Sequence, residues 1–138
     1  MEKEFIPYEQ ASKLKALGFK ERCLTYYGEN KPMLSDVLTI EGWDYNTSFL
    51  NWTSRPTFQQ AFRWFREEYE IPSFIQSRYD RFKGKVVHRY SYGNNKIGFL
   101  KHPESVNYWE HIVDFDTYEE AELECLDKLI ELVETKTN

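Results

Sequence analysis

Long apolar runs are missing from this chain, and so are the short patterns that mark most enzymes. No segment approaches the roughly 18 uninterrupted apolar residues that a membrane helix needs, and the opening MEKEFIPYEQ has no basic stretch leading into an apolar one. A membrane span and an export signal are therefore not expected, and a cytoplasmic setting is. Cysteine is scarce. Cys23 and Cys125 lie far apart in a chain with no export signal, so both are expected to be reduced and buried rather than paired. For the same reason Asn46-Thr47-Ser48 and Asn51-Trp52-Thr53 are chance matches to the glycosylation tripeptide. Glycine is also sparse, and the six present build no phosphate-cradling loop, nucleophile elbow or dinucleotide fingerprint.

Few residue types are left to carry chemistry. His88, His102 and His111, with Glu104, Asp114 and Asp116, are the one set whose types suit a metal, but no two of the histidines have the spacing of a known ligand pair. Cys23 has Leu24 and Tyr26 as neighbours, which points to burial rather than nucleophilic use. Acidic pairs such as Glu119-Glu120 belong to a solvated helix face. The expectation is no catalytic residue, no metal, no cofactor and no enzyme.

What the chain has in abundance is aromatic rings and charge. Aromatics make up 17% and charged residues 30% of 138 residues, with a mean hydropathy of -0.72. So polar a chain could be disordered, but four Trp, ten Tyr and ten Phe argue for an aromatic-rich core. The length suits one domain, residues 1–138, with a sizeable interior. The net charge of -5 conceals segregation: residues 55–103 hold ten Lys and Arg against four Asp and Glu, whereas residues 104–138 hold two against eleven. Either the fold is electrically polarised or the two parts neutralise each other.

The clearest element is SRPTFQQAFRWFREEY, Ser54 to Tyr69. Phe58, Ala61, Phe62, Phe65 and Tyr69 recur at helical spacing, Arg63 and Arg66 have glutamates four residues on, and Ser54 or Thr57 could cap the start, with Pro56 at a first helical position. A first helix is signalled after Pro7 by Ala11, Leu14 and Leu17, and Gly18-Phe19 has the form of its C-terminal cap. A last helix begins at Thr117, with Glu120 at capping-box spacing and an apolar stripe from Tyr118 to Val133 into which Glu122 projects. Between them, Arg22 to Tyr27 and Val37 to Ile40 read as a hairpin around the turn cluster Gly28 to Pro32. Phe74 to Tyr79, Lys85 to Tyr92, Lys96 to Leu100 and Tyr108 to Phe115 read as further strands, with a turn at Gly93-Asn94-Asn95. The order, lacking any alternating strand–helix–strand repeat, predicts an α+β class: three helices packed on a mainly antiparallel sheet in two layers.

Together PYEQASKLKALGF, PTFQQAFRWFREEY and DTYEEAELECLDKLIELV resemble a group of small uncharacterised bacterial proteins found in phage-derived or mobile regions. The likeness covers the three helices and departs most over Gly28 to Thr53. It implies a compact intracellular protein of mobile-element type and carries over no catalytic residue.

Two function classes remain. The favoured one is an interaction module that binds another protein, or itself, through the aromatic segment Trp43 to Trp52, which has no sustained period; Trp43, Tyr45 and Trp52 are its candidate contacts. The alternative is single-stranded nucleic-acid binding, by Arg78, Arg81, Lys83, Lys85 and Arg89 among the rings Tyr79, Phe82 and Tyr90. Against it stand the acidic balance of the whole and the glutamate partners along the central helix.

Overall fold

A computed structural model describes residues 2–28, 31–34, 42–48, 51–94, 99–101 and 113–137. The chain divides into two compact units, Met1–Ala61 and Phe62–Thr137.

In the first unit a 3-10 turn, Glu2–Glu4, leads to α1, Tyr8–Ala16, which starts after Pro7. Its end is a Schellman closure: Phe19 N–H donates to Leu14 O at 3.0 Å and Gly18 N–H to Lys15 O at 3.1 Å. Gly18 has φ 95°, a value that disfavours any side chain, and Phe19 folds back into the interior as the Gly-Phe pair signals. The strands β1 (Thr25–Gly28), β2 (Lys31–Leu34) and β3 (Trp52–Ser54) form an antiparallel sheet in the order β2-β1-β3, and α2 (Tyr45–Ser48) is a single helical turn before β3. The hairpin returns at Lys31–Leu34, and Val37 to Ile40, expected as the returning strand, lies outside the described residues. Gly28, Lys31 and Pro32, read above as turn, sit in the ladder. Pro32 is tolerated there because β2 is an edge strand, where a missing N–H need cost no bond.

The central helix, α3, spans Phe58–Tyr69, and the unit boundary falls inside it. Thr57 is the cap: its Oγ1 accepts from Gln60 N–H at 3.1 Å and its carbonyl from Ala61 N–H at 3.0 Å. Pro56 thus precedes the cap instead of opening the helix. Ser54 belongs to β3, and its Oγ accepts from Tyr45 N–H at 3.1 Å. Phe58, Ala61, Phe62 and Phe65 are buried, as is Trp64.

In the second unit β4 (Ser73–Asp80), β5 (Lys85–Asn94) and β6 (Phe99–Lys101) make a second antiparallel sheet, ordered β4-β5-β6. Gly93 and Asn94 extend β5 instead of turning, pairing with Leu100 and Phe99. Of the strand expected at Tyr108 to Phe115, residues 108–112 lie outside the described residues, and Phe115 bridges His88. The helix α4 (Tyr118–Thr137) starts on Thr117, whose Oγ1 accepts from Glu120 N–H at 3.1 Å. It packs on β5 and β4, with the Tyr118 ring edge-on to His88 at 5.8 Å, and buries Ala121, Cys125, Leu126, Leu129, Ile130 and Val133. The α+β class and antiparallel pairing are as the pattern implies. The arrangement differs in detail: among the described residues there are two three-stranded sheets and a fourth, one-turn helix at Tyr45, in place of three helices on one sheet.

Candidate binding surface

The feature that stands out is the long hairpin β4–β5. Its loop, Arg81 to Gly84, is held by Asp80, whose Oδ1 accepts from Phe82 N–H at 2.9 Å and Lys83 N–H at 3.2 Å, while its carbonyl accepts from Gly84 N–H at 2.8 Å. An aspartate that closes a turn with its own side chain fixes the loop without packing behind it. These amides, that of Lys83 foremost, hold the Asp80 carboxyl below the usual range.

A loop held in this way can present side chains outward, and this one does. Phe82 is fully exposed at 103%, Tyr79 is 62% exposed, and Val86 beside it is exposed as well. Tyr79 and Val86 are direct cross-strand partners and so share one face of the hairpin. Arg81 and Lys83 flank Phe82, and neither is ion-paired with a described residue.

The other basic residues of the candidate nucleic-acid set are engaged. Arg89 Nη2 lies 2.8 Å from Asp114 Oδ1, and Arg78 Nη2 lies 3.3 Å from Asp114 Oδ2 and 3.8 Å from Asp80 Oδ2. Lys85 Nζ lies 2.7 Å from Asp116 Oδ1, and it holds that carboxyl below the ordinary range. The bridge from His88 to Phe115 sets Asp114 opposite Arg89 in the sheet, so this neutralisation is written into the register. Of Arg78, Arg81, Lys83, Lys85 and Arg89, then, Arg81 and Lys83 are exposed and outside any ion pair among the described residues, although the charge of Lys83 helps to lower the carboxyls of Asp80 and Asp116.

The aromatic segment of the first unit is largely structural. Tyr45 is only 3% exposed, which corrects the expectation of a contact ring there: it lies 4.6 Å from the Tyr26 ring, and Trp52 stacks on the same ring at 4.4 Å. Its lack of period arises because a helical turn and a short strand both aim rings at β1. Trp43 alone of the three is well exposed, at 45%.

Among the described residues no group of histidine, cysteine and carboxylate could hold a metal ion, and no helix is long and apolar enough to cross a membrane. His102, His111 and Glu104 lie outside the described residues. His88 Nδ1 is 2.7 Å from Ser77 Oγ. Both cysteines are free and buried, and burial pushes each thiol up to about 12, which leaves Cys23 protonated and a poor nucleophile at neutral pH.

Compared with protein families, curated proteins and solved structures, the chain matches none. What sequence reasoning missed is the turn between two strands it did identify. Asp80 four residues before Gly84, between alternating patterns, was the available signal.

Proposed function

We propose that this is a non-enzymatic interaction module of mobile-element type, whose contact surface is the outer end of the β4–β5 hairpin and not the Trp43 to Trp52 segment. The observation that carries the reading is Phe82, a fully solvated ring between two cations on a loop fixed by Asp80. An exposed aromatic side chain on a preordered loop loses little conformational freedom on binding, and such rings are frequent anchors in protein interfaces. Tyr79 and Val86 enlarge the apolar area, while Arg81 and Lys83 supply a basic rim. The complementary surface is an apolar pocket edged by carboxylates. Single-stranded nucleic acid is the weaker partner, because three of the five cations are already matched to aspartates and phosphate binding grows with the number of cations displacing counterions.

The test is affinity capture with immobilised protein, comparing the native sequence with Phe82→Ser. The substitution should leave the thermal unfolding midpoint unchanged and abolish retention of the bound protein. Retention of the same protein by both would overturn the reading.

A further inference from the structure

We infer that the partner is a second copy of this chain, joined through the open edge of β4 about a two-fold axis. This rests on the hairpin being the contact surface and adds what it contacts. In the order β4-β5-β6 the strand β4 is an edge, eight residues long from Ser73–Asp80, free of proline, and exposed on both faces over Gln76, Ser77, Arg78 and Tyr79. No described residue pairs with its outer side. Long open edges of this kind invite another strand.

The backbone direction along β4 can be assigned. Gly93 N–H donates to Pro72 O at 2.7 Å, and the register with β5 runs without a bulge from Ser73 to Asp80. Alternate residues point their N–H and C=O groups to the same side, so Phe74, Gln76 and Arg78 bond toward β5. Ser73, Ile75, Ser77 and Tyr79 turn theirs outward, and none is a proline. An antiparallel two-fold pair keeps the two faces of the sheet continuous and requires partners of like parity. Centred on Ser77, it sets Ser77 against itself, Ile75 against Tyr79, and Gln76 against Arg78. No like charges meet directly, a small hydroxyl residue lies on the axis, and a half-buried Ile75 gains a tyrosine ring as its cross-strand partner.

Charge selects a second copy over an arbitrary extended peptide. In this register Asp80 of one copy comes level with Phe74 of the other, which sets the loop that carries Arg81 and Lys83 beside the start of the partner's β4. In the chain β4 is preceded by the end of α3, where the exposed Glu67 and Glu68 outnumber Arg66. The basic hairpin tip and the acidic helix end lie at opposite ends of the same strand, so antiparallel pairing brings unlike charges together at both ends of the interface. The two β4 edges close on each other, so this contact is isologous and does not propagate through β4.

Sedimentation velocity over a concentration series tests this, with three variants. The native chain should sediment as a dimer that weakens as salt is raised. Ser77→Pro removes an outward N–H while sparing every backbone bond to β5, with Ser77→Ala as the control for the lost Ser77 Oγ–His88 Nδ1 contact, and it should raise the dimer dissociation constant by at least about 30-fold. Arg81→Glu with Lys83→Glu should be monomeric, as should Glu67→Lys with Glu68→Lys, and an equimolar mixture of the two double variants should restore a dimer. The charge pair carries the test if Ser77→Pro proves unfolded by circular dichroism. A native chain that stays monomeric, or a dimer indifferent to both Ser77→Pro and the charge reversals, overturns the inference. The hairpin reading has its own readout: a monomer that still captures another protein through Phe82 sinks only the second copy, whereas capture indifferent to Phe82 sinks the hairpin.

Discussion

Replacing Glu122 with glutamine should stabilise the protein at pH 8 and do almost nothing at pH 4. Glu122 lies in the apolar stripe of α4, 7% exposed, between Tyr118 one turn before it and Cys125 nearly one turn after it. Burial first, and the charge of Glu119 second, raise its carboxyl from 4.5 to about 7. A raised carboxyl works in the opposite sense to a salt-bridged one. Below 4.5 the group is protonated in folded and unfolded chains alike, and no cost arises. Between 4.5 and about 7 the folded state holds a proton that the unfolded state has lost, so stability falls as pH rises, and above about 7 the cost is constant. At 1.36 kcal/mol per unit the displacement corresponds to roughly 3 kcal/mol, an upper figure because a carboxyl in the first turns of a helix retains some access to water. A glutamine has no such titration. Thermal unfolding followed by circular dichroism at pH 4, 5, 6, 7 and 8 should show the native and Glu122→Gln midpoints together at pH 4 and separating progressively, by several degrees at pH 8, with the variant higher. Equal midpoints at both extremes, or a variant less stable at pH 8, would refute the argument. The aspartates at the hairpin do not confuse the window. Asp80 and Asp116 are held low, so their contribution is present at neutral pH and lost only as pH falls through the acid range.

Other outcomes follow from the same packing. Phe62→Ala should cost about 3 to 5 kcal/mol, read as a lower denaturant midpoint, because the ring is buried on the inward face of α3. Trp52→Ala should destabilise by roughly 2 kcal/mol through loss of the stack on Tyr26, whereas Trp43→Ala should stay within about 0.5 kcal/mol. Gly42→Ala should be poorly tolerated, since its Cβ would stand 2.4 Å from Cys23 O where Cys23 and Trp43 exchange backbone hydrogen bonds; soluble yield and unfolding midpoint should both fall. Fluorescence anisotropy with single-stranded oligonucleotides at physiological salt should show no micromolar binding, and a salt-sensitive signal carried by Arg81 and Lys83 would reverse the choice of partner.

The helices were the legible part of this sequence. Their signals are local: Thr57 and Thr117 cap from one position, Gly18-Phe19 closes one turn, and apolar spacing names the inward face without reference to anything distant. The strands β4 and β5 were legible for the same reason, but two facts about them were not. Asp114 opposite Arg89 joins residues far apart in sequence, so the five basic residues between Arg78 and Arg89 read as a basic surface when three of them are matched to aspartates. The segment Trp43 to Trp52 misled in the reverse direction. Absence of a period suggested exposure, yet a helical turn at Tyr45 and three residues of strand at Trp52 suffice to bring both rings onto Tyr26. Periodicity needs length, and neither element has it. The turn at Asp80 depended on a side chain bonding its own backbone, which composition does not reveal.

The Asp80 loop also has a kinetic meaning. Only four residues separate β4 from β5, and their closure is assisted by a side chain already at the turn. Such a hairpin zips in about 1 to 10 μs, before partners distant in sequence have met. The pairing of β1 with β3, and the bridge from Phe5 to Thr57, demand much larger chain loops. In the second unit the hairpin is therefore the natural early structure, a template against which α4 can condense. Substitutions at Asp80 should slow refolding, whereas those in α1 should chiefly hasten unfolding. An edge strand formed so early is exposed while the rest of the chain is still searching, and that interval is when encounters between copies, productive or not, are decided.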